Sequence, residues 1–194
     1  MATHPRVLVL YATAQGQTRR IAERFAAELG SQDVQVQMLD LAELPEGVSV
    51  GDWDGVAIGA SVHGGNHLKA AAEFARQHRP QLDARPTAFF SVSLAAADED
   101  DEAVAAAREY LDSFVEETGW QPTICASFAG AILYSHYGTF ERILMRLIMR
   151  RKGHGDVKWD QEYTDWEAVA AFAKDFAAAV AGHAARRAAG AAHG

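Results

Sequence analysis

Short apolar runs and amphipathic segments alternate along most of the chain. The runs are rich in Val, Ile, Leu and Phe and predict five strands, at 6–11, 34–39, 56–60, 87–94 and 123–131. The segments between them place apolar residues three and four positions apart, as at Ile21, Phe25 and Leu29, which is the spacing of one helix face. Strands that alternate with helices in this way predict a parallel, doubly wound α/β sheet.

The order of the predicted strands decides which connections meet. In the order 2-1-3-4-5, the loops after strands one, three and four lie at one edge, where doubly wound sheets bind their ligands. The loop after strand three, residues 61–67, contains two adjacent glycines, so we expect its backbone to approach a ligand closely. The helix after strand four is expected to bury Val104, Ala107, Leu111 and Phe114.

One segment is too long for an ordinary connection. Residues 133–160 separate strand five from the last helix, which begins near Trp166 and whose apolar face continues to Val180. We therefore predict one domain, residues 1–182, with a helical insertion at 133–160. Residues 183–194 are rich in Ala, Gly, Arg and His, and we expect them to form a flexible tail.

The composition narrows the classes of molecule that the protein could bind and the compartment in which we expect it. The 194 residues are 49% hydrophobic and 23% charged, and the net charge of -8 argues against nucleic acid as a partner. The single cysteine, Cys125, lies in an apolar run, which predicts a buried thiol and a reducing compartment. The sequence has no secretory signal and no apolar run long enough to span a membrane, so we expect a cytoplasmic protein.

Residues 13–18, with the sequence TAQGQT, join strand one to the first helix. Hydroxyl groups at both ends, a central glycine and a helix N-terminus suit a phosphate monoester, because free backbone N–H groups and the helix dipole favour an anion there. A Walker loop requires GxxxxGK[ST], which the sequence lacks. A dinucleotide loop requires GxGxxG, and only Gly16 is present, although Asp40 keeps a ribose ligand open.

In this position the pattern [ST]-x-x-G-x-T resembles the loop that holds the phosphate of FMN in flavodoxins. From residue 6 to about 180, the chain also resembles the menaquinone-dependent protoporphyrinogen oxidases of bacteria, which are flavodoxin-like FMN enzymes. The similar stretches are GQTR at 16–19, IGAS at 58–61, FSV at 90–92, GWQP at 119–122, AGA at 129–131, LIM at 147–149 and YTDWE at 163–167. The last two are the most specific, because short flavodoxins need neither.

The resemblance implies a flavodoxin-like fold with FMN as the cofactor. The phosphate would be held by Thr13, Ala14, Gln15, Gly16, Gln17 and Thr18. The isoalloxazine would be flanked by Ser61, Val62, His63, Gly64, Ser93, Leu94 and Ala95. No side chain is then needed as a nucleophile or a metal ligand, since the flavin carries the redox chemistry. The implied reaction removes hydrogens from protoporphyrinogen IX and passes the electrons to a membrane quinone.

The predicted insertion contains a basic amphipathic helix, FERILMRLIMRR, at residues 140–151. One stripe is apolar, whereas Arg142, Arg146 and Arg150 are four apart on another face and Arg151 follows. Through residues 140–152 such a helix can lie on an anionic membrane, here the cytoplasmic face of the inner membrane, and admit an apolar quinone. Its arginines could also receive the propionates of a porphyrin. The alternative is an added helix that packs its stripe on the domain.

Other functions remain open from the sequence. A flavodoxin that carries electrons to a protein partner would fit the negative charge, but it has no use for a basic amphipathic helix. A flavodoxin-like protein of another pathway is a further alternative. His63 and His67, four positions apart, could form a metal pair; without a third ligand nearby we favour histidines beside the flavin or in solvent, and we predict no metal site.

Overall fold

The computed structural model describes residues 4–97, 101–132 and 161–191. Five parallel strands form the central sheet: β1 (Arg6–Ala12), β2 (Gln35–Asp40), β3 (Gly55–His63), β5 (Thr87–Ser93) and β6 (Ile124–Ala129). They lie in the order β2-β1-β3-β5-β6, and the short antiparallel strand β4 (Asn66–His67) pairs with β3. This is the predicted order 2-1-3-4-5, so the doubly wound sheet is confirmed.

Helices cover both faces of the sheet. The described helices are α1 (Gln17–Gly30), α2 (Lys69–Gln77), α3 (Arg79–Asp83), α4 (Asp101–Thr118) and α5 (Trp166–Ala191). One core lies under α1 and α5 and includes Phe25 and Phe176, and the other lies under α2 and α4 and includes Phe89 and Trp120. Because both faces are covered, the inner strands are largely apolar, and every residue of β5 is buried, including the polar Thr87, Ser91 and Ser93.

The segment that follows β3 is a hairpin and not the loop that the sequence predicted at 61–67. Residues 61–63 extend β3, and β4 returns antiparallel, with Val62 opposite His67. The chain reverses at Gly64 and Gly65, whose φ angles of +61° and +86° favour glycine. The two glycines therefore make a tight turn, and the pairing on either side gives this segment a fixed shape.

Helix α4 presents most of its predicted face to the core. Ala107 and Phe114 are buried, and Leu111 is partly buried against the core, as predicted. Val104, which we also expected to face inward, is 56% exposed, and its neighbour Ala103 is buried instead. The prediction was therefore wrong at Val104, where the larger apolar residue was preferred over its small neighbour.

Helix α5 begins at Trp166, as predicted, and buries Val169, Phe176 and Val180. It then continues to Ala191, although the sequence predicted a flexible tail from residue 183. Alanine has the highest helix propensity of all residues, which explains why this alanine-rich stretch is helical. The boundaries of the domain and its insertion stay predictions, since residues 133–160 lie outside the described part of the chain.

Cys125 is exposed, which contradicts the prediction of a buried thiol. It lies on the edge strand β6, where Ile124 and Ala126 pack against the core on the opposite face of the sheet. Neighbouring atoms that partly remove water from the thiol, together with the carboxylate of Asp112, raise the pKa of Cys125. Among the described helices, none is both long enough and apolar enough to cross a membrane.

Candidate functional site

The carboxyl ends of β1, β3, β5 and β6 border a cleft of about 590 Å³. Its described lining comes from residues 13–15, 17–18, 61–65, 92–95, 110 and 130–131, and none of these is Lys, Arg, Asp or Glu. A smaller cavity of about 310 Å³ lies beside Pro86 and Thr123, where β5 and β6 begin. The larger cleft lies at the end of the sheet where this fold class binds ligands, and its volume suits a small molecule.

One end of the cleft is the turn that leads into α1. Gly16 takes a φ of +91°, the left-handed conformation, and its N–H donates a 2.9 Å hydrogen bond to Thr13 Oγ1. The N–H of Ala14 donates to Ser61 Oγ at 3.2 Å, which fastens the turn to β3. The N–H of Arg20 is bonded to Gly16 O, so the preceding N–H groups at the start of α1 have no acceptor within the helix.

The hydroxyl of Thr18 is a buried polar group to which no described residue is hydrogen-bonded. Its side chain is 1% exposed and lines the cleft, and within the described residues its Oγ1 has no hydrogen-bond partner. A buried hydroxyl without a partner costs stability, so it marks a place where a ligand is expected. The unused hydroxyl, the left-handed Gly16 and the helix N-terminus together fit a phosphate group.

The side chain of Gln17 has a different role from the one that its place in the loop suggested. Its Nε2 donates to Glu162 Oε1 at 2.7 Å and to Thr164 Oγ1 at 2.8 Å, and the Thr164 hydroxyl donates to Ala129 O. Arg20 pairs with Glu162 at 3.2 Å. These bonds hold the start of α1 against β6 and the segment before α5, which leaves the backbone N–H of Gln17 for an anion.

The other end of the cleft is built by several elements. Ser61, Val62, His63 and Gly64 line it from the β3–β4 hairpin, and Ser93, Leu94 and Ala95 line it from the turn after β5. That turn is a 3₁₀ helix, Ala95–Ala97, and it is tied to the end of β6 because the N–H of Gly130 donates to Ser93 O at 3.0 Å. The cleft therefore includes every predicted ring-flanking residue.

The side chains of the two histidines in the hairpin lie in different environments. His63 lies at the exposed rim of the cleft, whereas His67 packs beneath it among Phe89, Phe114 and Tyr110. Burial lowers the pKa of His67 to about 4, so its ring is neutral at physiological pH. Within the described residues, no group of three or more His, Cys, Asp or Glu side chains is placed to hold a metal ion.

Five of the described residues that line the cleft were not among the predicted site residues. Gly65, Val92, Tyr110, Gly130 and Ala131 line the cleft beside the predicted residues. Tyr110 was the one with a usable signal, because it is three residues after Ala107 and four before Phe114 on the inward side of α4. The arginines predicted to contact substrate or membrane lie outside the described residues; they are Arg142, Arg146, Arg150 and Arg151.

Comparison with known proteins identifies the fold family. The flavodoxin domain matches residues 8–158, which is most of the chain. The chain belongs to the flavodoxin family. The match includes the turn at 13–18 and the strands that border the cleft, so this flavodoxin domain has its candidate site where the doubly wound sheet predicts it.

Two curated relatives carry the same name. A protoporphyrinogen IX dehydrogenase [quinone] of Escherichia coli K12 is 35% identical over 173 residues, which cover 89% of this chain and 94% of the relative. A protein of that name from Leishmania major is 36% identical over 178 residues, covering 90% of this chain and 75% of the relative. The similarity therefore includes nearly the whole flavodoxin domain and the segment after it.

A solved structure confirms the fold independently of sequence. Oxidised flavodoxin 1 from Bacillus cereus superposes with a TM-score of 0.52, covering 88% of this chain and 96% of the flavodoxin. Its sequence is 15% identical, so the likeness concerns the fold alone.

Proposed function

We propose that this flavodoxin domain binds FMN and is a quinone-dependent protoporphyrinogen IX dehydrogenase. The observation that carries the proposal is the 35–36% identity to relatives of that name across about nine tenths of the chain. The cleft supports the same function, because it lies at the ligand-binding end of the sheet and the turn at one of its ends fits the phosphate of a flavin nucleotide.

The residues of the cleft fit the parts of FMN. The backbone N–H groups at the start of α1 and the hydroxyls of Thr13 and Thr18 would hold the phosphate, with Gly16 shaping the turn. The β3–β4 hairpin and the turn at 93–95 would flank the isoalloxazine. When bound, FMN supplies the redox chemistry, accepting electrons and hydrogen from one substrate and passing electrons to a second.

The chain's own contribution is binding and orientation. Among the described lining residues, none is Lys, Arg, Asp, Glu or Cys. We therefore expect these residues mainly to fix the cofactor and to limit the access of water.

Association with the inner membrane is part of the proposal. Residues 134–152 contain five basic residues and one Glu, in a chain whose net charge is -8. A basic stretch of this kind is attracted to anionic lipid, where the quinone is found. Arg142, Arg146, Arg150 and Arg151 would contact either the membrane or the propionates of the substrate.

Anaerobic turnover tests the reaction. The FMN-loaded protein is mixed with protoporphyrinogen IX and a menaquinone analogue, and the formation of protoporphyrin is followed by its fluorescence. We expect turnover that depends on both the protein and the quinone. A protein that binds FMN but leaves the porphyrinogen unoxidised would refute the enzyme function and favour the alternative, a flavodoxin that carries electrons to a protein partner.

Liposome flotation tests the membrane proposal separately. A variant without residues 137–152 is compared with the full chain on vesicles that contain anionic lipid. We expect the full chain to float with the vesicles and the variant to remain in the soluble fraction. Equal flotation of the two proteins would mean that this segment is not a membrane contact.

A further inference from the structure

The side chain of Gln17 is engaged by the protein, although this residue opens α1 beside the cleft. It is 5% exposed, and its Nε2 donates to Glu162 Oε1 at 2.7 Å and to Thr164 Oγ1 at 2.8 Å. Its Oε1 accepts a hydrogen bond from Arg20 at 3.1 Å. Because a carboxylate can only accept and a guanidinium can only donate, these partners fix the orientation of the amide. Both of its N–H bonds are used, so the Gln17 side chain has no donor left for a ligand.

Thr164 continues this chain of hydrogen bonds to the end of β6. Its hydroxyl accepts from Gln17 and donates to Ala129 O at 2.7 Å, and the residue is 9% exposed. Two hydrogen bonds therefore join the first residue of α1 to the last residue of β6. Breaking either bond would leave a buried polar group without its partner, which costs more than a bond on the surface.

The segment before α5 is also paired with the chain just after β6. Two short strands, β7 (Ala131–Ile132) and β8 (Gln161–Glu162), pair antiparallel at the two ends of the predicted insertion. Beside this ladder, the N–H of Tyr163 donates to Gly130 O at 3.3 Å. A two-stranded ladder of this length is at best marginally stable alone, so we expect the contacts from α1 to contribute to its stability.

We propose that Gln17 and Thr164 are positioning residues that couple the turn at 13–18 to the β7–β8 ladder. By holding the first residue of α1, they keep the backbone N–H groups at that helix end in place for the phosphate, which lowers the ordering cost of binding. Coupling between two sites is reciprocal, so a bound phosphate also stabilises the ladder. The proposal rests on the FMN-binding part of the proposed function and is independent of the porphyrinogen reaction.

Hydrogen exchange of the wild-type protein tests the coupling from the phosphate to the ladder. FMN and riboflavin share the ring system, but riboflavin lacks the phosphate. Each is added at the same large multiple of its Kd, so that both stabilise the whole protein equally. We expect the Tyr163 N–H to exchange about fivefold more slowly with FMN than with riboflavin. The N–H of Gln35, bonded to Pro5 O at the other end of the sheet, is the control and should exchange equally with both.

Flavin affinities of variants test the coupling in the other direction. Thr164→Val removes the hydroxyl at nearly constant shape, and we expect it to weaken FMN about fivefold and riboflavin by less than about twofold. Thr164→Ser keeps the hydroxyl and should bind FMN as the wild type does. Adding Thr164→Val to Gln17→Met should weaken FMN little further, because both changes interrupt one chain of bonds. Thr123→Val is the matched control, since its hydroxyl accepts from the Thr87 N–H at the far end of the sheet.

Four results would overturn the proposal. They are equal exchange of the Tyr163 N–H with the two flavins, wild-type FMN affinity of Thr164→Val and Gln17→Met, an equal loss for both flavins, and a loss in Thr164→Ser as large as in Thr164→Val. Circular dichroism checks that each variant is folded, and Gln17→Met replaces Thr164→Val if that variant fails to fold. A wild-type apoprotein that binds neither flavin would refute FMN as the cofactor, whereas one that binds FMN without turnover would refute only the enzyme function.

Discussion

The two ends of the cleft are built in different ways. The end proposed to bind the phosphate is a single turn of six consecutive residues, 13–18, whose candidate donors are backbone N–H groups and hydroxyls. The ring end combines a hairpin, a 3₁₀ turn and Tyr110 of α4, which are far apart in sequence. A local turn can be recognised as a motif, whereas a wall assembled from distant elements cannot. The difference explains why the sequence indicates the phosphate more directly than the substrate.

The largest expected effect is at the phosphate end. Thr18→Val would remove the hydrogen bond that we propose between the Thr18 hydroxyl and the charged phosphate, so FMN affinity should fall about 30-fold, or about 2 kcal/mol, in a calorimetric titration. The same change replaces a buried hydroxyl that has no partner among the described residues. The melting temperature of the apoprotein should therefore stay unchanged or rise. A variant that loses both FMN affinity and apoprotein stability would show that Thr18 has a structural role instead.

His67 lies beneath the ring end of the cleft, and it makes the free energy of unfolding depend on pH. Its pKa is about 4 in the folded protein and 6.5 as a free side chain, so between these values the unfolded chain binds more protons. The free energy of unfolding should be at its full value above pH 6.5 and should fall by about 2 kcal/mol as the pH decreases to 4, after allowance for partial exposure.

The measurement is chemical denaturation of the wild type and His67→Gln over this pH range. The decline should be smaller in His67→Gln by the contribution of His67. His78, whose pKa is also lowered by burial, remains in both proteins. His63→Gln is the matched control and should behave as the wild type, since His63 lies at the exposed rim. Equal pH profiles of the wild type and His67→Gln would contradict the buried, neutral state of His67.

A smaller effect concerns the shape of the turn. Gly16 has a φ of +91° and open space where a Cβ would lie, so Gly16→Ala should cost about 1 kcal/mol of stability through backbone strain alone. Gly30, the last residue of α1, also has open space but no positive φ, so Gly30→Ala should be neutral or stabilising. Thermal unfolding of both variants checks this, and equal melting temperatures would contradict the strain argument.

The smallest expected effect is that of salt concentration on the affinity for FMN. The described cleft lining has no charged side chain, and the contacts of Arg19 and Arg20 include Glu23 and Glu162. Because the proposed donors to the phosphate are neutral, the Kd for FMN should change by less than about threefold between low and high salt. A steep loss of affinity with salt would mean that cationic side chains contact the phosphate.

The strands and helices could be predicted because apolar runs and helical spacing are strong local signals, and the strand order because their alternation is typical of a doubly wound sheet. The exposure of Val104 could not, since Ala103 and Val104 are adjacent and only packing against the sheet decides which is buried. The exposure of Cys125 has a similar origin, because β6 is an edge strand and its apolar composition does not reveal which face is covered.

The candidate site shows the same difference between local features, which could be predicted, and contacts between distant residues, which could not. The turn at 13–18 was predicted from its residue types, and residues 61–64 and 93–95 from their places after strands, although the hairpin that contains 61–64 was predicted as a loop. The contact between Gln17 and Thr164 joins residues that are 147 positions apart, and no pattern in one sequence indicates it. Tyr110 and His67 also meet through tertiary packing, so their contact could be found only in the structure.

The central claim is that bound FMN takes electrons from protoporphyrinogen IX, and its absorbance reports this directly. The FMN-loaded protein is mixed without oxygen with a slight excess of the porphyrinogen, and the oxidised flavin band at about 450 nm is recorded. We expect the band to disappear as protoporphyrin forms and to return when a menaquinone analogue is added. A band that is unchanged by the porphyrinogen would contradict electron transfer from the porphyrinogen to FMN.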